Sequence, residues 1–137
     1  MGGVIIYNSS DYNINDLLSS NPYYDKMYEL VLKNTQSEKA ASTLVLYLES
    51  LKQEDLTRIR KYSFLNHDFE LQPLISLYKE VNYETLVIER IIPSQAEPSY
   101  EVQLSYRLKK GTSKEFRTVH INLYDGVNMD IYEDPDQ

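Results

Sequence analysis

The chain has 137 residues, 42% of them apolar and 26% charged, and its net charge is −7. These values predict one globular domain with a real core and argue against general disorder. The sequence has no dense basic patch, the feature that drives the affinity of most nucleic-acid binders, so we predict no nucleic acid among its partners. The lack of cysteine excludes disulfides, thiolate catalysis and cysteine zinc sites.

The first twenty residues are polar and rich in Asn, Ser and Asp. They predict an irregular N-terminal arm (1–20), with one short helical turn at Ile14–Leu18, ahead of a single α+β domain (21–137). No apolar run approaches the roughly twenty residues that a membrane span requires. We therefore expect contact with a membrane only through a segment that this chain does not include.

Two long helices are predicted after the arm. Asn21 as N-cap and Pro22 at the first helical position begin one of them, about three turns long. Thr35 and Glu38 have the spacing of a capping box, which predicts the start of the other. The second helix carries an apolar stripe at helical spacing: Ala41, Leu44, Val45, Leu48 and Leu51.

Two shorter helices are predicted next. One begins near Glu54 or Asp55, where a carboxylate suits the positive end of a helix. The other covers Leu71–Tyr78 and is predicted to begin at Pro73, because proline is tolerated in a first turn and not in a helix interior.

The hydrophobic period then changes from that of a helix to that of a strand. Helices followed by strands predict an α+β fold, in which N-terminal helices pack on one face of an antiparallel sheet of about four strands. The Asp125-Gly126 pair is the favoured signal for a two-residue hairpin turn. The predicted strands are Tyr83–Ile92, Tyr100–Leu108, Glu115–Tyr124 and a short last strand that includes Val127, Met129 and Ile131.

The acidic C-terminus and the two histidines are the candidate metal ligands of the sequence. The terminus lacks the glycine and the twelfth-position glutamate of an EF-hand, so its acidic residues are predicted to form a solvated tail. His67 and His120 lie far apart in the sequence and have no recognisable ligand spacing. We predict neither a metal nor a cofactor. The acidic residues of this stretch are Asp130, Glu133, Asp134 and Asp136, and those beyond Ile131 form the predicted tail.

One face of the third predicted strand is mixed polar and aromatic. Together with a tyrosine from the helical half, it predicts the lining of a pocket, and the alternatives are a solvent-exposed face or a surface for another subunit. Acid–base catalysis would need a carboxylate on this face beside His120, and the strand supplies none. We therefore predict a non-enzymatic domain. The predicted site residues are Tyr78, Phe116, Thr118, His120, Asn122 and Tyr124.

Two stretches of the chain carry a resemblance to a known family. "AASTLVLYLESLKQEDLTRIRKYSF" looks like a first helix, a polar break and a second helix ending at an aromatic residue, and "YDGVNMDIY" looks like a closing Asp-Gly turn with a last strand. From about Glu38 to Tyr132, this order resembles the nuclear transport factor two-like superfamily. The resemblance implies a cone of helices wrapped by a curved sheet. Met129 or Ile131 stands where many bacterial members carry tryptophan.

The superfamily includes proteins with unrelated functions, and one branch suits this chain. The soluble domains of VirB-eight-type proteins help to assemble type IV secretion and conjugation machines. The resemblance implies a protein–protein interaction domain on the extracytoplasmic side of a bacterial membrane, with other components of a membrane complex, or further copies of itself, as partners. The alternatives are a small-ligand-binding domain of an exported lipoprotein and, third, an isomerase-like enzyme.

Overall fold

The structure, a computed structural model, describes residues 12–65, 67–95, 98–123 and 129–137. These residues form five helices followed by an open, four-stranded antiparallel sheet, which confirms the α+β fold. None of the helices described is long and apolar enough to cross a membrane. The elements are α1 (Ile14–Ser20), α2 (Pro22–Thr35), α3 (Glu38–Lys52), α4 (Leu56–Tyr62), α5 (Asp68–Lys79), β1 (Val81–Pro93), β2 (Ser99–Leu108), β3 (Glu115–Leu123) and β4 (Met129–Tyr132).

Helix α3 lies at the centre of the molecule and is buried on every side. It contacts α1, α2, α4, α5 and β4, and all its side chains from Thr43 to Leu51 are buried. The apolar stripe predicted the helix but not this enclosure, which also covers Glu49. The Glu49 carboxylate accepts hydrogen bonds from the Tyr24 hydroxyl at 2.9 Å and the Gln53 amide at 2.8 Å, so its burial does not leave it without donors.

The sheet follows sequence order, β1-β2-β3-β4, with every neighbouring pair antiparallel. Val102 pairs with Val119, and Ile121 pairs with Ile131. All four side chains are fully buried and face the helices. The alternation predicted for β2 and β3 is therefore confirmed, because it is the pattern of strands with one face on the core.

The predicted capping box was wrong. Thr35 is the last residue of α2, and its hydroxyl donates to the Val31 carbonyl at 2.8 Å. Ser37 is the N-cap of α3, and its hydroxyl oxygen accepts from the Ala40 amide at 3.0 Å. The reason is Gln36, whose φ of 58° is the left-handed conformation that ends a helix. The chain thus changes direction one residue after Thr35.

The predicted start of α5 was also wrong, because the helix begins at Asp68 and continues through Pro73. The missing N–H of Pro73 leaves the carbonyl of Phe69 without its helical partner. Phe69 lies in the first turn of α5, and its side chain is 77% exposed. Water can therefore satisfy that carbonyl, which reduces the cost of proline at this position.

The short helical turn predicted near the N-terminus corresponds to α1. The helix continues to Ser20, and its Asn13 N-cap accepts from the Asp16 amide at 3.2 Å. Its apolar side chains, Leu17 among them, pack against the core. Residues 1–11 of the predicted arm, and the predicted Asp125-Gly126 turn, lie outside the described residues.

The solvated acidic tail was predicted incorrectly at one position, because Glu133 is fully buried. The chain after β4 stays attached to β3: the Gln137 side chain accepts from the Thr118 amide at 2.7 Å and donates to the Thr118 carbonyl at 2.8 Å. Asp134 and Asp136 are exposed, as predicted.

Candidate functional site

An irregularity in β1 shapes a large cleft among the described residues. Asn82 pairs with Arg107, and Val87 pairs with Ser105. Between these two pairs β1 advances by five residues, whereas β2 advances by only two. The extra residues interrupt the alternation of the strand. Tyr83 and Leu86 are both buried, although a regular strand would place them on opposite faces. Bulges of this kind re-aim side chains, and they are common next to functional sites.

Local side-chain hydrogen bonds hold the bulge in place. The Thr85 hydroxyl donates to the Asn82 carbonyl at 2.6 Å and accepts from the Arg107 amide at 2.9 Å. The Asn82 side-chain oxygen accepts from the Glu84 amide at 3.2 Å. These bonds replace part of the interrupted ladder, so the bulge is a fixed element of the fold.

The cleft lies between α2 and the bulged part of β1, and we call it the α2–β1 cleft. Its volume is about 1260 Å³, above the range of about 300–1,000 Å³ that is typical of ligand pockets. The α1–α2 junction and the C-terminal ends of α3, α5 and β2 complete its walls. The cleft is thus large enough for a small molecule.

The inner wall of the cleft is apolar. Met27, Val81 and Leu86 are almost fully buried there. Leu30 and Val87 line the same cleft and are exposed by 39% and 42%. A buried apolar wall that continues into exposed apolar side chains suits a ligand with an apolar part.

The charge of the cleft is opposite to that of the chain. Its lining has four lysines against two glutamates, a net of +2, whereas the whole chain carries −7. Within the described ranges, none of the four ammonium groups forms an ion pair. The lysines lie on four different elements or turns: Lys26, Lys52, Lys79 and Lys109.

Lys52 is held against two tyrosines of the cleft. Its ammonium nitrogen lies 5.8 Å from the ring centre of Tyr23 and 5.2 Å from that of Tyr83, and it donates to the Tyr23 hydroxyl at 3.1 Å. The Tyr23 hydroxyl in turn donates to the Asn21 side-chain oxygen at 3.0 Å. These contacts place one positive charge beside the aromatic wall without neutralising it.

The Tyr83 hydroxyl is a buried polar atom of this wall that lacks a hydrogen-bond partner among the described residues. The residue is 8% exposed, and its oxygen makes no hydrogen bond to any described residue. Burial, followed by the nearby Glu49 carboxylate, raises the pKa of Tyr83, so the group stays a protonated donor. A buried hydroxyl without a partner costs free energy, and such exceptions are frequent at functional sites.

The structure separates the predicted site residues into two places. Thr118, His120 and Asn122 are half-buried on the outward face of β3, and Phe116 is exposed there. Tyr78 lies on the other side of the sheet, in the core, and lines the inner part of the cleft. Tyr124 lies outside the described residues. The outward face and Tyr78 therefore do not form one pocket.

The outward face has a carboxylate that the strand sequence alone did not reveal. Glu101 of β2 pairs in register with His120, and the Tyr132 ring lies 6.0 Å from the imidazole. Asn122 donates to the Asp130 carboxylate at 3.0 Å. No hydrogen bond joins Glu101 to His120 in the described structure, and no group of three acidic or histidine side chains there is arranged to hold a metal ion.

Tyr78 belongs to a buried polar group that we call the Glu133 cluster, formed by Tyr47, Tyr78, Arg117 and Glu133. The Glu133 carboxylate forms an ion pair with Arg117 and accepts from the Tyr47 hydroxyl at 2.8 Å. The Tyr78 hydroxyl donates to both carboxylate oxygens, at 2.9 and 2.8 Å. Burial raises the pKa of Glu133, and Arg117 and the two phenol donors act in the opposite direction.

Sequence reasoning missed both the cleft and the cluster. Asn82 and Thr85 were a usable signal for the cleft, because an Asn with a Thr three residues later is a local hydrogen-bonding pattern inside an otherwise regular strand. For the cluster, Arg117 on the apolar face of β3 was a signal, since a buried guanidinium requires a carboxylate partner. The identity of that partner depended on the fold.

Comparisons of the chain with protein-family models, with curated proteins and with solved structures found no match. The resemblance to the nuclear transport factor two-like superfamily therefore stays a prediction. The function proposed below therefore rests on the geometry of the described residues.

Proposed function

We propose that this domain binds a small amphipathic molecule in the α2–β1 cleft without transforming it. The observation that carries the proposal is the cleft of about 1260 Å³ whose apolar inner wall continues into the exposed Leu30 and Val87. Pockets for small molecules combine such apolar walls with a few fixed polar groups. Here Tyr23 and Lys52 supply fixed polar groups at the wall.

Nile red, a neutral dye whose emission rises in apolar surroundings, tests this function. We expect saturable binding to the wild-type chain and about tenfold weaker binding to Leu30→Asn, which removes about 1.5 kcal/mol of apolar contact. Phe69→Asn is the matched control, because Phe69 is exposed and does not line the cleft. Thermal unfolding verifies that both variants fold. Absent or non-saturable binding to the wild type, or equal losses in the two variants, would overturn the proposal.

A second candidate function is contact with another protein through the outward face of β3. Phe116 favours it, because this large apolar side chain is 64% exposed beside half-buried polar groups, a composition found at interfaces. If the face joins copies of the chain, Phe116→Ser should abolish self-association in sedimentation experiments while Phe69→Ser should not. A chain that sediments as a monomer at every concentration would contradict this form of the hypothesis.

The helix-first, sheet-last order supports the resemblance to the nuclear transport factor two-like cone. A role in a type IV secretion or conjugation complex, on the extracytoplasmic side of a bacterial membrane, stays a prediction that rests on that resemblance. Ligand binding in the cleft and protein contact through the outward face of β3 are compatible with one domain, since the cleft and the outward face lie on different surfaces.

A further inference from the structure

We infer that the ligand of the α2–β1 cleft is a single-chain amphiphile with an anionic head group, a carboxylate or a phosphate monoester. This inference rests on the proposed function, and it adds the charge of the ligand. It is carried by the juxtaposition of an apolar wall with four lysines from separate parts of the chain.

The lysines are not explained by the needs of the fold alone. Lys52 and Lys79 lie in the last turns of α3 and α5, where a cation also stabilises the end of a helix. Lys26 lies inside α2, and Lys109 follows β2, so neither has that role. A chain with 21 acidic and 14 basic residues would by composition alone surround a cleft with more carboxylates than ammonium groups.

Charge complementarity therefore selects the head group. Four ammonium groups without ion pairs among the described residues repel a cationic ligand. Apart from the bond of Lys52 to Tyr23, their donors are open to solvent or to a ligand. An anion near Lys52 would also lie beside the aromatic wall, because the Lys52 nitrogen is 5.2 Å from the ring centre of Tyr83. Donors to a charged acceptor form stronger hydrogen bonds than donors to a neutral one.

The apolar wall selects the rest of the ligand. Met27 and Leu86 form the buried base of the cleft, and Leu30 and Val87 supply its exposed apolar surface. An inorganic anion would leave this surface in water, and a neutral lipid would leave the lysines unpaired. An alkyl chain with one anionic end uses both parts of the cleft.

Four probes with the same alkyl chain test the inference: dodecanoate, dodecyl phosphate, dodecanol and dodecyltrimethylammonium, each below its aggregation concentration. Competition with Nile red or titration calorimetry on the full chain gives the dissociation constants. We expect the two anions to bind about tenfold or more tightly than the alcohol, and the cation to bind weakest. The preference should shrink between about 0.05 M and about 0.5 M salt, because exposed charges are screened.

Lys26→Met with Lys52→Met should remove most of the preference for the anions, because it should weaken the binding of dodecanoate and dodecyl phosphate much more than that of dodecanol. Lys33→Met with Lys110→Met is the control, since both lysines are exposed outside the cleft and the pair changes the net charge equally. If the double variant with Lys26→Met and Lys52→Met fails to fold, the double variant with Lys26→Met and Lys109→Met replaces it.

The outcomes separate the two proposals. Equal binding of dodecanol and dodecanoate, or equal losses in the cleft and control pairs, would refute the anionic head group while leaving a ligand-binding cleft in place. Nile red binding without binding of any alkyl probe would also refute it. No binding of Nile red would overturn the proposed function, and this inference with it.

Discussion

The Glu133 cluster and the α2–β1 cleft are built from the same kinds of residue but are completed differently. In the cluster, one buried carboxylate receives a guanidinium and two tyrosine hydroxyls. In the cleft, the lysines have no ion pairs among the described residues, and Tyr83 has no hydrogen-bond partner there. Tyr78 contributes its hydroxyl to the cluster and its surface to the cleft wall. The comparison shows that the buried charge of the cluster is fully partnered within the fold, whereas the lysines of the cleft are not partnered by carboxylates of the described residues.

The cluster also explains why the end of the chain is ordered. Glu133 follows β4 directly, and Arg117 on β3 pairs with its side chain and donates to the Asp134 carbonyl at 3.1 Å. Tyr47 and Tyr78 bring α3 and α5 to the same carboxylate. Four elements or segments therefore meet at one buried charge, whose desolvation is costly unless every partner is present.

Removing one charge of the Arg117–Glu133 ion pair should have the largest effect on stability. Glu133→Leu leaves Arg117 buried without its partner, so we expect the free energy of unfolding to fall by about 3–5 kcal/mol. Denaturant unfolding measures the loss. Arg117→Leu combined with Glu133→Leu should recover only the part of the loss that comes from the uncompensated charge, because Tyr47 and Tyr78 still lack their acceptor. Asp134→Asn, at the exposed neighbouring position, should change stability by less than about 0.5 kcal/mol. If the double variant is as unstable as Glu133→Leu, the ion pair stabilises the fold by more than keeping the charge of Arg117 paired.

Two tyrosine-to-phenylalanine substitutions compare the regions directly. Tyr78→Phe removes a hydrogen bond to a charged acceptor and should cost about 1.5–3 kcal/mol. Tyr83→Phe removes a buried hydroxyl that has no partner in the described structure, so it should be neutral or stabilising. The volume change is the same in both, and denaturant unfolding compares them. If Tyr83→Phe costs as much as Tyr78→Phe, the hydroxyl of Tyr83 has a partner, and the contrast between the regions fails.

The sequence predicted the periodic parts of the molecule better than the site. The apolar spacing of α3 and the alternation of β2 depend only on local periodicity, and both elements form as predicted. The β1 bulge could not be predicted from periodicity, since it depends on how Asn82 and Thr85 bond to β2. Glu133 was missed for a related reason: an acidic residue four positions from the chain end resembles a solvated tail until the fold places Arg117 beside it.

The Asp55 group is intermediate between the cluster and the cleft, and its loss should cost less than the loss of Glu133 or of the Tyr78 hydroxyl. Its carboxylate is the N-cap of α4, accepts from the Arg58 amide at 3.2 Å and from the Tyr12 hydroxyl at 2.8 Å, and pairs with the Arg58 guanidinium at 3.0 Å. Its side chain is 24% exposed, so it is only partly desolvated. Asp55→Ala should therefore cost about 1 kcal/mol, mainly through the lost cap.

The pH dependence of stability distinguishes the charge of Asp55 from its cap. Burial alone would raise the pKa of this carboxyl, but the hydrogen bonds from Tyr12 and Arg58 together hold its pKa below the ordinary value of 3.8. A carboxyl with a lowered pKa in the folded state stabilises the fold above its unfolded pKa, and this contribution is lost as the pH falls through the folded value. Asp55→Asn keeps a capping oxygen and loses the charge. Its unfolding free energy, measured by denaturant titration from neutral pH to below about pH 4, should fall less steeply with acid than that of the wild type. Identical slopes would mean that the partners of Asp55 favour its two protonation states equally, so the group would contribute only its cap.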